Sequence, residues 1–475
     1  MNGFAVGALI LFCVGLLFSG IWIALRRRAY RRELKYDPRQ DCVLGIAPGG
    51  VETISITCDS TGFILPELPA NAVSVCLELR LQATTKGSVF DPLVEIFCGN
   101  FLDKQFFERG VSGTRFLNVT RLIRAGVQTG KRVILRGFHV AWPPGRAWLH
   151  VCHESIRSDD RVLVIAPHPD DAELAAFGLY ADTRATIVTV TAGDGSDRYT
   201  GKNGGMRLTR TQIGRMRVLD SIIVPQIGGV PREQILNLAY PDGRLSEMRA
   251  SPAVDFCQGD ADALNFTGLR QLNLSPLLRG GAECTWRSLV ADIVYVLALT
   301  KPTIIVLPDP WLDPHTDHAA TTAAVCEALR ETGQRDGRFF LTCVHNRWSE
   351  LIPLGPTGSG VPLPPRKGGE SPEIDSFYSH VLSPERLTEK YLALEAMHDV
   401  RELSECPPQS MRSLRRKLRT IAGASVHGMG FPPTSLLRRA VRPDEVFAVM
   451  SVPALMKKIS SSITTRDEEG ELAVR

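Results

Sequence analysis

The chain has no internal repeat, no pair of cysteines at C-x-x-C spacing and almost no charge imbalance, with 55 Lys and Arg against 51 Asp and Glu over 475 residues. The lack of a repeat excludes solenoids and propellers. Without C-x-x-C, the usual sequence sign of a cysteine-held metal or dithiol site is missing. A formal net charge of +4 gives no basis for a nucleic-acid partner. The eleven cysteines, an odd number, do not read as a disulfide framework. Cys58, Cys76, Cys98 and Cys152 fall inside apolar, strand-like runs and are expected to be buried free thiols, which fits a reducing compartment. The length implies two or three domains.

Gly3–Leu25 lacks any charge or proline. About 20 apolar residues suffice to cross a bilayer core. A signal peptide would place basic residues before a shorter apolar run and a cleavage site after it. Here Arg26, Arg27, Arg28, Arg31, Arg32 and Lys35 follow the run instead. Cationic flanks favour the cytoplasmic side. Residues 1–36 are therefore expected to be a transmembrane anchor with a basic flank. The protein would be single-pass in the inner (cytoplasmic) membrane, with the rest of the chain in the cytoplasm.

Residues 37–158 read as a β-rich domain, a sandwich or jelly roll. "AVSVCLELRLQ" alternates, with Val73, Val75, Leu77, Leu79 and Leu81 on one side, the period of a half-buried strand. "TISITC", "LVEIFC", "RFLNVT", "RVILRGF" and "AWLHVC" continue the series. No catalytic groups gather there, and a glycan contact, a partner contact and a structural spacer all stay open.

From residue 159 the pattern changes to continuous apolar runs alternating with helical stretches: "RVLVIAP", "ATIVTVTAGDG" and "KPTIIVLP". That pattern predicts an α/β domain over residues 159–450, with a mostly parallel, Rossmann-like sheet covered by helices. Residues 352–374, rich in Pro and Gly, are expected to form a long surface loop or a disordered segment. Arg412, Arg415, Arg416, Lys417, Arg419, Arg438 and Arg439 form basic runs that would be solvated or lie on anionic lipid. Residues 451–475 read as a C-terminal tail.

Two clusters sit just past buried strands. One is His168-Pro-Asp170-Asp171-Ala-Glu173; the other is Asp313-Pro-His315-Thr-Asp317-His318. Ligands of open α/β sheets bind outside the carboxyl ends of strands, so neighbouring strands would bring both clusters to one crevice. Imidazoles and a carboxylate make a three-ligand site for a divalent ion, whose charge keeps crowded carboxylates ionised. A carboxylate beside it serves as general base, and a second histidine as oxyanion or leaving-group partner. The chemistry is metal-assisted hydrolysis of a carbonyl compound.

"VLVIAPHPDDAEL" resembles the first motif of the PIG-L/LmbE family of metal-dependent de-N-acetylases, and "PHTDH" resembles its second. "IVTVTAGDGS", "LNLAYPDGRL" and "EKYLALEAMHDVREL" extend the resemblance over residues 159–450. It implies a Rossmann-like fold, a Zn2+ ion (with Fe2+ as an alternative) on His168, Asp171 and His318, and Asp170 as the base. His315 would polarise the oxyanion or assist the leaving amine. Asp317 would orient His315, and Asp194 and Arg210 would contact the sugar.

The family pattern is broken at Thr316, where it has proline, at Phe177, where it has glycine, and at Thr211, where it has an acid. Phe177 would reshape the pocket wall. His345 and His398 read equally as site or structural residues. The expected activity is removal of the N-acetyl group from an N-acetylhexosamine of a lipid-linked glycan or lipopolysaccharide core at the membrane surface. A glycan-binding or scaffolding membrane protein, and a metal-dependent amidase on another amide, are the alternatives.

Overall fold

The computed structural model describes residues 14, 20–21, 24–25, 27–195, 207–258, 263–369, 371–400 and 434–459. Nine strands between Glu52 and Cys152 form one sheet in which every pairing is antiparallel. Their alternate residues, among them Val75, Leu77, Leu79 and Leu81, meet Val94, Leu135 and Leu149 in one core. The period of two in the sequence is the cause, because successive side chains of a strand face opposite sides.

The second sheet has seven strands: β1 (Arg161–Ala166), β2 (Arg184–Thr191), β3 (Ile235–Tyr240), β4 (Ile304–Pro308), β5 (Arg338–Thr342), β6 (Ser376–Val381) and β7 (Asp444–Ser451). Their order is β3-β2-β1-β4-β5-β7-β6. The first five pair in parallel, but β7 is antiparallel to β5 and β6 is antiparallel to β7. The sheet is therefore mixed, which corrects the expectation of a mostly parallel one. Buried apolar runs look alike in either direction, and direction is set by the connections. The helices α1 (Asp171–Ala181), α2 (Arg210–Ile223), α3 (Trp286–Thr300) and α4 (Thr316–Thr332) cross between the parallel strands. Strand β1 pairs with β4 in the register Val162↔Ile304, so the loops after these two strands meet at one edge.

No helix among the described residues is long and apolar enough to cross a membrane. This corrects the expected transmembrane helix and the single-pass inner-membrane assignment. Most of Gly3–Leu25 lies outside the described residues. The basic flank packs onto the folded body. The Arg109 amide donates to the Tyr30 hydroxyl at 3.2 Å, and Leu34 and Tyr36 pack with Leu312 and Trp348.

The Pro/Gly-rich segment is no exposed loop. It runs between the two sheets, with Leu354, Val361, Arg366 and Ile374 buried. Gly360 bridges Gln105 and Ile374 bridges Ile46. Arg438 donates to the carbonyls of Leu351, Pro353 and Gly355, each at 2.7 Å. Arg442 adds bonds to Pro353 and Gly355 at 3.0 and 2.8 Å, and Arg439 pairs with Glu350 at 2.8 Å. Prolines and glycines leave carbonyls without a regular ladder, and buried carbonyls need donors. Arg438 and Arg439 are thus consumed inside the protein rather than presented to lipid. Arg412, Arg415, Arg416, Lys417 and Arg419 lie outside the described residues. Cys257 and Cys284 form a disulfide across 27 residues, unlike Cys58, Cys76, Cys98 and Cys152, which are free.

Helix α1 carries the first motif and is broken by a non-helical Ala176. The break frees the amides of Gly178 and Leu179, which donate to Glu445 at 2.9 and 3.0 Å. Lys390, on α5 (Pro384–Ala396), reaches Glu445 at 2.8 Å and the Leu174 carbonyl at 3.1 Å. Phe177 is fully buried against Tyr180, with ring centroids 5.1 Å apart, and packs in the core beneath the helix rather than in a pocket wall. Gly178 is required by space. A Cβ there would lie 2.7 Å from Leu382 Cγ. Gly178→Ala is expected to cost about 1–3 kcal/mol, read as a lower urea midpoint with an unchanged slope.

Candidate metal and catalytic centre

The two loops after β1 and β4 bring three donor atoms together. His168 Nδ1 lies 3.1 Å from Asp171 Oδ2, His318 Nε2 lies 3.2 Å from the same oxygen, and the two nitrogens are 3.3 Å apart. Ligand atoms at zinc distances of about 2.0–2.1 Å around a tetrahedral ion lie about 3.3 Å from one another. The triangle fits that spacing. Two imidazole nitrogens and one carboxylate oxygen are also the donor set that a catalytic zinc takes.

Each imidazole is turned by a carboxylate at its far nitrogen. His318 Nδ1 is 2.9 Å from Asp313 Oδ2, and His168 Nε2 is 3.2 Å from Asp242 Oδ1 and 3.4 Å from Asp317 Oδ2. A proton on those far nitrogens leaves Nδ1 of His168 and Nε2 of His318 as the free lone pairs of the triangle. Such carboxylate–histidine pairs fix the tautomer of metal ligands. Asp313 is the hub of its loop. Its Oδ2 also accepts from the amides of Val344 and His345, at 3.1 and 3.0 Å.

The electrostatics call for positive charge here. Burial works against a charged His318, yet Asp171 and Asp313 push its pKa up to about 9. Burial opposes charge on His168 as well, and Asp171, Asp242 and Asp317 outweigh it, holding its pKa well above the usual imidazole value. Burial would raise Asp171, but His318 and His168 hold its carboxyl well below the usual carboxylate range. A dication in the triangle answers the same carboxylates that these protons answer.

His315 caps α4, and its Nδ1 accepts from the Asp317 amide at 3.3 Å. The proton of the neutral ring is then on Nε2. Burial lowers the pKa of His315, with His168 and His318 adding to the effect, so the ring stays a neutral donor. Asp317 was expected to orient His315 through its carboxylate. Its contact to His315 is the backbone amide alone, while its carboxylate faces His168 and accepts from the amides of Gly243 and Leu245 at 2.7 and 3.2 Å.

Asp170 stands at the N-cap position of α1, but its side chain makes no capping bond. Burial raises its pKa, while Arg217 at 3.1 Å works in the other direction. Glu173, next along, is pushed up to about 8 by burial and accepts from the Tyr180 hydroxyl at 3.2 Å.

Asp194 and Arg210 are placed together. Arg210 Nε donates to Asp194 Oδ2 at 2.6 Å, and the Asp242 amide donates to Oδ1 at 2.8 Å. Asp194 is buried and spends both oxygens on the protein, while the Arg210 side chain remains 31% exposed. Thr211 accepts from the Asn265 amide at 3.0 Å, so its hydroxyl ties a loop rather than a sugar. His345 stacks on His315, with centroids 5.5 Å apart. His398 bonds Asp220 at 2.8 Å.

Asp242, Asp313 and Asp399 lie inside stretches singled out in the sequence but had no role assigned there, and Arg217 lies outside all of them. For Arg217 a signal existed. It interrupts the buried stripe Ile213, Gly214, Val218 and Ser221 of α2, and a charge in that place requires a buried partner.

Residues 163–329 match the family model described as PIG-L: GlcNAc-PI de-N-acetylase. No curated protein matches the chain. Among solved structures, the hydratase GalB (4-carboxy-2-hydroxymuconate hydratase) of Pseudomonas putida KT2440 is similar at 13% identity over 56% of this chain and 87% of that one, with a TM-score of 0.28. A family two carbohydrate esterase from Cellvibrio japonicus is similar at 10% identity over 61% of this chain and 87% of that one, with a TM-score of 0.15. Both scores are too low to inform the reading of this chain. Residues 163–329, about a third of the chain, are a PIG-L domain, the domain of a family of de-N-acetylases, and they hold both clusters of the site described above.

Proposed function

We propose that the chain is a metal-dependent hydrolase that removes the acetyl group from an N-acetylhexosamine. The observation that carries this reading is the triangle of His168 Nδ1, Asp171 Oδ2 and His318 Nε2, with sides of 3.1, 3.2 and 3.3 Å. His168, Asp171 and His318 would hold a divalent ion, Zn2+ by preference and Fe2+ as an alternative, which when bound would supply a Lewis acid for an amide carbonyl and for a water. Asp170, beside the triangle but bonded elsewhere, takes the proton of the attacking water. His315 donates from Nε2 to the oxyanion that forms as the carbonyl becomes tetrahedral. The C–N bond then breaks, and the proton held by Asp170 passes to the departing nitrogen, giving acetate and a free amine. The buried carboxylates of Asp313 and Asp317 and the half-buried one of Asp242 hold the imidazoles in place throughout.

A lipid-linked carrier was favoured by the apolar N-terminus and the basic runs. With Arg438 and Arg439 consumed internally, the proposal is confined to the N-acetylhexosamine. The carrier is decided by comparing acetate release from the free sugar, its simple glycosides and lipid-linked forms. In the test, zinc-loaded protein is expected to release acetate from at least one of these. Chelation should abolish release and zinc should restore it. No release from any N-acetylhexosamine, alongside turnover of a different amide, would overturn the reading in favour of a metal-dependent amidase.

A further inference from the structure

Arg217 is 6% exposed, and a buried guanidinium needs its charge answered from close by. Two separate segments answer it. Nη2 lies 3.1 Å from Asp170 Oδ2 in the first motif, and Nη1 lies 2.7 Å from Asp399 Oδ2, beyond the end of α5. The turn after β2 closes over it. A Cβ on Gly193 would come within 3.0 Å of the guanidinium carbon and Nε and within 2.9 Å of Pro169. Gly193 also has a φ of +63°, so glycine is needed there for conformation and for space. Turn, guanidinium and His-Pro-Asp motif therefore form one packed stack, and Arg217 does not bond to the donor triangle itself.

We propose that Arg217 is a positioning residue for deacetylation: it holds Asp170 by Oδ2, is held in turn by Asp399, and so leaves Oδ1 of Asp170 as the oxygen that takes the proton. The inference rests on the reading of Asp170 as the base. An aspartate carboxylate released from its partner is free to turn about χ1 and χ2, and a misplacement of about an ångström costs on the order of 100-fold in rate. Lysine supplies charge but not a planar fork, so it cannot bridge two carboxylates in the same geometry. The bridge also ties Asp399, just past the end of α5, to the reacting carboxylate.

The test uses the full chain, with methyl N-acetyl-β-glucosaminide as probe substrate and Co2+ as a spectroscopic metal. Arg217→Ala is expected to lower kcat about 100-fold with KM changed less than about threefold. Its Co2+ spectrum and stoichiometry should stay as in the parent. Free guanidinium should restore part of the rate, and Arg217→Lys should fall between. Asp399→Asn keeps the volume and the guanidinium, and should lower kcat about tenfold. It decides alone if Arg217→Ala does not fold. Parental kcat in both variants, or a loss confined to KM, overturns the proposal. So does a loss accompanied by an altered Co2+ spectrum, which would make Arg217 part of the metal site's architecture. Asp170→Asn separates the two levels. If that variant is inactive while Arg217→Ala is unimpaired, only the positioning role falls. If Asp170→Asn is fully active, the base assignment falls and the positioning role with it.

Discussion

Asp170→Asn is expected to lower acetate release by about 100- to 10,000-fold while one metal ion per chain stays bound. The amide is nearly isosteric with the carboxylate, so its oxygen can still accept from Arg217, 3.1 Å away in the parent. What it cannot do is take a proton. The metal should stay, because the donor triangle uses Asp171 and not Asp170. His318→Ala gives the opposite pattern. Removing Nε2 deletes one corner of the triangle, and the metal should be lost along with the activity. Metal content by elemental analysis beside acetate release distinguishes the two. Loss of metal from Asp170→Asn would sink the assignment of Asp170 as a base outside the ligand set.

Lys390→Met should be the most destabilising single change outside the site. Lys390 and Glu445 are both buried, and their ammonium and carboxylate lie 2.8 Å apart. Breaking a buried pair from one side leaves an uncompensated charge and costs about 3–5 kcal/mol. The amides of Gly178 and Leu179 still face Glu445, which places the expected loss at the lower end of that range. The double change Lys390→Met with Glu445→Gln should recover part of it, since the neutral amide oxygen still accepts from those amides and no charge is stranded. Urea unfolding of the three variants measures this. A double variant less stable than Lys390→Met would refute the account. Because Glu445 braces the break in α1 at Ala176, and α1 begins at Asp171, Lys390→Met should also weaken metal binding.

These two residues show what a motif can and cannot say. "EKYLALEAMHDVREL" placed Lys390 on a helix and within a resemblance, but it gave no reason for a lysine there. The reason is a broken helix more than 200 residues earlier in the chain, with two amides that need an acceptor. No periodicity in the sequence announces a break at Ala176; Gly178, a poor helix former two residues on, is the one local hint.

Phe177 teaches the same lesson from the other side. Compared with a family pattern, a bulky residue in place of glycine points to the pocket. In the fold it points away, because the break rotates it onto Tyr180. The basic residues Arg438 and Arg439 misled for a related reason. Charge in a sequence is read as surface, and only the fold explains these two guanidiniums in the interior, Arg438 on carbonyls of the Pro/Gly-rich strap and Arg439 on the Val344 carbonyl and Glu350.

By itself the sequence determined the alternation of strands and helices, the two acidic-histidine clusters at strand ends and the donor types available for a metal. These depend on side-chain period and on chemistry carried within a few adjacent residues, which short-range interactions enforce. Tertiary structure alone decided the strand directions at β6 and β7, the covering of the 352–374 segment, the tautomers set by Asp242, Asp313 and Asp317, and the bridge from Asp170 through Arg217 to Asp399. Apart from the Asp313–His318 pair, five positions apart, each of these joins residues tens to hundreds of positions apart. Their energies come from burying charge and backbone polar groups against whichever partner the fold brings within about 3 Å, and that partner is not written next to them in the chain.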